Sequence, residues 1–369
     1  MGLLLIVCLV LAGAAARAAE LFEFQRPVRA LGMGGVYLPF VEDTDAVIWN
    51  PAVLGDNSAL SWEVFNVGLG GNGDDVVDLY RQMQDSNCSG SACYNRFYGK
   101  PLWAGLGTAS KFAMPRFGVT FFNSTTLQGI LHNPAFPSLN LTYLSDTISA
   151  ASYGFPLGPG LTFGTTFKRI ARWGGTQDIS LSTITSGGES VLDQFNQRGT
   201  AYGLDLGAQF KIPGPITTIF GVHWQDVGST AFAPESGLTA PPRIKDNLSF
   251  GLGSELDLPG LDVRGGLEYR HITLQGEPIG KKLHVGAELG LPLVDLRVGL
   301  NQGYPTLGAS MDLFFLKFDL ARYTEETGVY PGQTPATRYK LELSCAFSID
   351  ADFNFSDKEG RRRKLKQRR

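Results

Sequence analysis

Residues able to do chemistry are sparse in this chain and gather near its N-terminal end. Gly32, Gly34 and Gly35, within Arg29-Ala30-Leu31-Gly32-Met33-Gly34-Gly35, have the look of a loop whose N–H groups cradle a phosphate. No Lys-Ser/Thr pair follows and no strand-turn-helix pattern surrounds them, so a tight, close-packed backbone is the better reading. In Asn50-Pro51-Ala52 the proline fixes the backbone and the asparagine can bond neighbouring main-chain groups, which suits a pinned turn in a confined space. His132, His223, His271 and His284 lack metal-ligand spacing, and no serine stands in a nucleophile context. No catalytic residue, metal site or cofactor is therefore assigned, and the chain does not read as an enzyme. Cys88 and Cys93 flank a polar loop and, in an exported chain, suit a small disulfide; a two-cysteine zinc site is the competing reading and lacks further ligands nearby. Cys345 reads as a small apolar strand residue.

The elements that must position these residues follow from the pattern of the chain. Residues 1–19 read as a signal peptide, with an apolar run from Leu3 to Leu11 and a cleavage context at Ala16-Arg17-Ala18, although the usual basic start is missing. Glycine at 46, phenylalanine at 24 and only 18% charged residues suit β-structure with an apolar outer face. A net charge of -3 gives no reason to expect a nucleic-acid partner. No later run reaches the ~18 apolar residues of a membrane helix, but period-two alternation is widespread. In Tyr339 to Ile349 every second residue is apolar, and Leu261 to His271 sorts Leu261, Val263, Leu267 and Tyr269 onto one face.

Such segments fall at 59–69, 103–113, 117–126, 143–154, 161–172, 200–211, 216–225, 247–257, 261–272, 281–290, 293–301, 306–313, 315–323 and 338–349. That predicts an all-β chain: a transmembrane antiparallel barrel of about 14 strands, each near the ~9 to 11 residues a tilted membrane strand needs. Every second link is tight, while the intervening ones, such as 70–102 and 226–246, are often long, the asymmetry of short periplasmic turns and long outer loops. Charges test the barrel, because a lipid-facing charge at mid-bilayer costs roughly 2 to 4 kcal/mol. Arg264, Glu268, Glu288, Asp295, Arg297, Asp312, Lys317, Asp319, Lys340 and Glu342 all alternate with apolar neighbours and are expected in the lumen. Arg169 shares its face with Phe163 and Phe167, which places it at the outer rim or on a bulge. Residues 74–83 and 190–196 read as short loop helices.

The prelude Arg29 to Gly35, the acidic step Glu42-Asp43-Thr44-Asp45 and Trp49-Asn50-Pro51-Ala52 together resemble the start of the FadL and PorV superfamily of outer-membrane barrels. The resemblance implies an N-terminal hatch inside the lumen, with Gly32, Gly34, Gly35, Asn50, Pro51 and Ala52 as its gating residues. For a FadL-type member it implies passive transport of hydrophobic small molecules such as long-chain fatty acids, with Leu21, Phe22 and Phe24 touching ligand. For a PorV-type member it implies a non-transporting partner barrel of a protein secretion system. Transport is the leading expectation and the partner barrel the alternative; Val53, which stands where fatty-acid transporters usually have glycine, and the basic tail weigh toward the alternative without displacing the first.

The expected organisation is thus a signal peptide at 1–19, a hatch at 20–57, a barrel at 58–350 and a basic periplasmic tail at 351–369, in a bacterial outer membrane. Expected partners are outer-membrane lipid, a hydrophobic small molecule or secretion proteins, and an acidic periplasmic partner for the tail, whose charge run otherwise reads as solvated.

Overall fold

The computed structural model describes residues 20–21, 23–24, 26–73, 98–132, 138–180 and 194–350. Outside them lie the leader, Phe22, the loop carrying Cys88 and Cys93, the helix expected at 74–83, most of that at 190–196, and the tail. Fourteen long strands run in chain order: β1 (Ala59–Gly71), β2 (Pro101–Met114), β3 (Phe117–His132), β4 (Ser138–Gly158), β5 (Leu161–Ser180), β6 (Arg198–Ile212), β7 (Thr217–Gln225), β8 (Asn247–Leu258), β9 (Leu261–Tyr269), β10 (Leu283–Gly290), β11 (Val294–Asn301), β12 (Tyr304–Leu313), β13 (Leu316–Glu326) and β14 (Pro335–Asp350). Each pairs antiparallel with its neighbour, and β14 closes on β1 from Ala59↔Asp350 to Gly71↔Tyr339. A two-residue strand, Ala233–Pro234, adds to the upper end of β6 outside this cycle.

Alternation sets which face each residue takes. Leu69, Phe121, Phe167, Leu204, Val298 and Leu341 face outward and are exposed, while their chain neighbours face inward and are buried. Closing the sheet removes every edge, and an apolar exterior around a polar, charged interior is the arrangement of an outer-membrane barrel. Among the described residues no helix is long and apolar enough to cross a membrane; the strands cross it. The six inner links are tight, with positive φ at Arg116, Gly160, Gly260 and Phe314, whereas most outer links are long.

All fourteen expected segments are strands, with differences at their ends. β3, β4 and β5 reach 16, 21 and 20 residues because their upper halves, rich in Thr, Ser and Asn, keep pairing where the apolar alternation has faded. β9 stops at Tyr269 rather than 272, since His271 turns the chain at φ 53 and the Arg270 N–H bonds the Lys282 carbonyl. Lys281 and Lys282, expected in a strand, belong to a short helix over Ile279–Lys282. Arg169 faces outward in an unbroken stretch of ladder opposite Ser149 and Tyr202, which selects the outer-rim reading over a bulge.

The described residues of the N-terminal segment, 20–21, 23–24 and 26–57, lie inside the barrel and include α1 (Val28–Gly32), α2 (Ala46–Trp49) and three 3-10 turns, Leu38–Phe40, Asp43–Asp45 and Pro51–Gly55. Helical pieces of three to five residues cannot hold themselves together in water. They hold because Val28, Met33, Val36, Val47, Ala52 and Leu54 are buried in contact with the wall and with one another.

The wall receives the hatch through glycine. A Cβ on Gly164 would lie 2.5 Å from the Ala52 nitrogen, one on Gly207 2.9 Å from Pro51 Cδ, one on Gly299 2.5 Å from the Met33 carbonyl carbon, and one on Gly308 2.8 Å from Gly32 Cα. With Gly154, Gly221, Gly251, Gly253, Gly266 and Gly286, every strand from β4 to β12 contributes at least one such position. Several pair directly: Gly154↔Gly164↔Gly207, Gly221↔Gly251 and Gly253↔Gly266↔Gly286↔Gly299. A glycine inside a strand marks close approach by another part of the chain, here by hatch backbone at Gly154, Gly164, Gly286, Gly299 and Gly308 and largely by the side chains of Leu38, Pro39 and Phe40 at Gly221, Gly251, Gly253 and Gly266, and the marks join into a girdle. Gly164→Val forces a side chain into occupied space, an overpacking that costs about 1 to 3 kcal/mol. It should lower the unfolding midpoint in micelles and sensitise cells to large antibiotics, whereas Gly158→Ala, with nothing within 4 Å, leaves both unchanged.

Candidate transport site: the hatch and the cavity above it

The two glycine- and proline-marked segments sit on well-separated arcs of the lumen wall. Gly34 and Gly35 take φ of +67 and +92, which a side chain would strain, and turn the chain so that Gly32 to Gly35 lie flat on β10, β11 and β12. Thr306 Oγ1 donates to the Gly32 carbonyl at 2.9 Å and His284 Nδ1 lies 3.0 Å from the Gly34 oxygen. No phosphate cradle results, because wall groups occupy the approach. Asn50 is fully buried against β6; its side chain accepts from the Ala52 N–H at 3.2 Å and donates to the Ala208 carbonyl at 3.4 Å. Next to it, Ser152 and Thr166 both donate to the Val47 carbonyl, at 2.8 and 2.9 Å. Main-chain groups that α2 is too short to satisfy are met by the wall.

Four of the lumen charges, Arg264, Glu268, Glu288 and Lys340, find partners on the hatch, which alternation could not disclose, whereas Arg297 pairs with Asp295 and Asp319 of the wall. Glu288 lies between three arginines: Arg29 at 2.7 Å, Arg264 at 2.7 Å and Arg297 at 2.6 Å. Glu268 accepts the Tyr37 and Leu38 N–H groups, both at 2.8 Å. In the acidic step, Glu42 meets Arg29 and Arg264, and Asp45 meets Lys111 at 2.6 Å and the Tyr37 hydroxyl. The hatch itself crosses no bilayer, and its carboxyls titrate low. Burial pushes Glu23 up, but Arg26, Arg270 and His271 together outweigh it and hold the carboxyl well below its usual range. Burial likewise opposes Glu42 and Asp45, and Arg29 and Arg264 for the one and Lys111 for the other bring them down. These acids stay ionised and keep the hatch tied. Among the described residues no cluster of three or more His, Cys, Asp and Glu is placed to hold a metal.

Above the hatch lies a cavity of about 410 Å³. Its wall comes from the outer ends of β2 to β5 and of β13 and β14, its floor from hatch residues 20–31. Leu21 and Phe24, expected to touch ligand, do line it. Phe24 packs edge-on against Phe122 at 5.9 Å, with Lys168 Nζ 5.3 Å from its ring centre. Trp103, Tyr323, Arg338 and Lys340 line it too, beside polar residues such as Glu20, Gln128 and Glu325; of the first four, the sequence pattern singles out only Lys340, as a lumen charge. Arg338 stacks on Trp103 at 4.6 Å and pairs with Glu20 at 2.6 Å. The sequence holds no sign of this convergence, since Trp103 and Arg338 are 235 positions apart and meet only through barrel closure.

Some solved structures of similar shape are channels. The chain superposes on the TodX deltaS2S3 mutant monoaromatic hydrocarbon channel with a TM-score of 0.49 and 13% identity, covering 89% of this chain and 99% of that one. A Pseudomonas aeruginosa FadL homologue gives 0.48 and 11%, covering 90% and 100%, and the Ralstonia pickettii toluene transporter TbuX gives 0.37 and 11%, covering 88% and 98%. No protein-family model and no curated protein matches the chain. Likeness at this level carries no argument about activity, and the barrel stands on its own closed ladder.

Removing one member of a buried, multiply bonded ion cluster strands its partners, at a cost of about 3 to 5 kcal/mol. Glu288→Gln should therefore destabilise far more than Glu255→Gln at the cluster's exposed edge, and a double-mutant cycle of Glu288→Gln with Arg29→Met in urea unfolding should show strong coupling.

Proposed function

We propose that this chain is a passive outer-membrane channel for hydrophobic small molecules, which bind in the outer cavity before passing the hatch. The observation that carries the reading is the cavity itself: a concave site facing the outer loops, with Leu21, Phe24, Leu31, Trp103 and Ile130 for an apolar body and Arg338 and Lys340 for a polar end. The rest of the lining is largely polar, with Glu20, Glu23, Gln128 and Glu325 among it, so the site suits a ligand that has both an apolar body and a polar group. Long-chain fatty acids fit this description, as do other hydrocarbons carrying one anionic or polar group. In this reading the hatch segments Gly32, Gly34, Gly35 and Asn50-Pro51-Ala52 keep the lumen closed to water-soluble solutes.

Titration of the purified barrel with the fluorescent polyene fatty acid cis-parinarate tests it. Saturable binding is expected, weakened about tenfold or more by Leu21→Asp or Trp103→Ala, since each replaces apolar lining worth roughly 1.5 to 3 kcal/mol. A barrel that only held secretion proteins would bind no such ligand and would instead retrieve secretion components in a pull-down. For the basic tail we propose docking on an acidic periplasmic partner; deletion of 357–369 should then abolish salt-sensitive co-purification while leaving parinarate binding intact.

A further inference from the structure

The cations of the outer cavity are already engaged. Arg26, Arg338 and Lys340 are the basic residues of its lining. Arg26 pairs with Glu23 at 2.7 Å and with Glu325, and its Nη1, buried without a partner among the described residues, lies among Gly35, His284 and Arg270. Lys340 Nζ donates to the Arg26 carbonyl at 2.7 Å. Arg338 gives both terminal nitrogens to Glu20, Nη1 to Oε1 at 2.7 Å and Nη2 to Oε2 at 2.6 Å. An anionic ligand that enters this cavity therefore finds each positive group facing an oxygen of the chain, and gains a charge-assisted bond there by displacing one.

The attachments differ in how firmly they are made. The oxygen on Lys340 is main chain, and freeing the amine would mean moving the hatch. Glu325 belongs to β13 with 2% of its side chain exposed, and Glu23 is held by Arg26, Arg270 and His271 together. Glu20 keeps 19% of its side-chain exposure, and beyond Arg338 its partner is Gln128, whose Nε2 donates at 2.9 Å. The seat under it is fixed, because Arg338 is buried and stacked on Trp103 at 4.6 Å. The Arg338 Nε is buried without a partner among the described residues, so Glu20 leaves one donor of the guanidinium unmet. Leu21 lines the cavity beside Glu20, and Phe24 packs among Ile48, Phe122, Ile148 and Ala150. Glu20, Leu21 and Phe24 thus present to the cavity a carboxylate and apolar groups, the make-up of an amphipathic acid.

We propose that Glu20 occupies the seat of the ligand's anionic group: a hydrophobic acid binds by exchanging its carboxylate for that of Glu20 on Arg338, whereas an uncharged hydrophobic ligand binds beside the intact pair. The exchange puts one carboxylate in place of another on the same guanidinium, with the Glu20 carboxylate passing to water, so Arg338 is never left buried and unpaired. Glu20 is then a specificity-determining residue. It lowers the apparent affinity for acids in proportion to how often Arg338 is already taken, and leaves that for neutral ligands unchanged. The proposal rests on the channel reading above and separates the ligands that must compete from those that need not.

The test compares cis-parinarate with its uncharged methyl ester on the purified full chain, at a pH where the acid is ionised. Glu20→Gln should tighten parinarate about tenfold, as removal of a competitor that fills the seat in roughly nine molecules of ten would, and leave the ester unchanged. Adding Arg338→Met to Glu20→Gln should remove the gain for parinarate and again leave the ester as it was. A second measurement keeps all the charges native: a spin label on Leu21→Cys, with the other cysteines replaced by serine, should gain mobility on adding sodium octanoate and not on adding 1-octanol. Heat-modifiable mobility confirms that each variant is folded. Parinarate binding that is unchanged or weakened in Glu20→Gln, an equal gain for the ester, or a label indifferent to octanoate each overturns the exchange, while parinarate binding by the parent still upholds the channel. If parent and Glu20→Gln bind neither parinarate nor its ester, the channel reading is overturned and the exchange falls with it.

Discussion

The close seating of the hatch on glycines of the wall, backbone against backbone at Gly164, Gly286, Gly299 and Gly308, is the constraint on which this molecule depends. A barrel of fourteen strands encloses more space than its own inward side chains fill. The chain fills it with its own first ordered segment, whose helical pieces are too short to be stable alone, and the two parts fit only where the wall gives up its Cβ atoms. Glycine in a strand sacrifices backbone entropy and packing, so nine consecutive strands doing so at one level of the lumen records a specific need. The hatch is as much a part of the core as the strands are. Its residues, Val28, Met33, Val47 and Leu54 among them, supply much of the buried apolar surface, while the outward leucines and phenylalanines face lipid.

Ion pairs perform the complementary task. Burying a charge is costly unless it is paired and hydrogen-bonded, and Glu288, Arg297, Lys168 and Arg172 are both. Glu288 draws Arg29 of the hatch together with Arg264 and Arg297 of the wall, and Glu268 caps two N–H groups of the chain entering the Leu38–Phe40 turn. Glycine contacts set how close the hatch comes, and the directional pairs set how it is turned. At the inner end of β1 and β2 the Lys111 ion pairs act together with the packing of Ala113 on Ala46, Val53 and Leu54.

The strands were legible because lipid enforces alternation: one charged residue on the outer face is expensive, so the pattern in β9 to β14 is nearly free of exceptions and places every strand. Legibility fails where that pressure ends. The upper parts of β3 to β5 carry Thr, Ser and Asn on both faces and look like loop, and the turn at His271 hides inside a run that goes on alternating. At the site, the hatch segments are legible in Gly32 to Gly35 and Asn50 to Ala52, whereas their receptors on the wall stand out less. The signal was present, in glycines such as Gly164, Gly207, Gly286 and Gly299 that fall on the inward phase of otherwise regular strands. Trp103 with Arg338, and Lys111 with Asp45, had no such signal, because their meeting depends on how strands are staggered around the cylinder.

The strand lengths are unequal around that cylinder: β4 has 21 residues and β5 has 20, against 8 each for β10 and β11. A bilayer has one thickness, so the surplus of the long strands, about 40 Å of extended chain, stands clear of it on a single side. The rim is a slope, and its crest is a stiff, fully paired fin of Thr, Ser and Asn with Tyr143, Trp173 and Phe195 clustered at its inner face. Among the described strands, a body approaching from outside, whether a droplet, an antibody or a phage tail, meets this crest before it meets the low rim at β10 and β11.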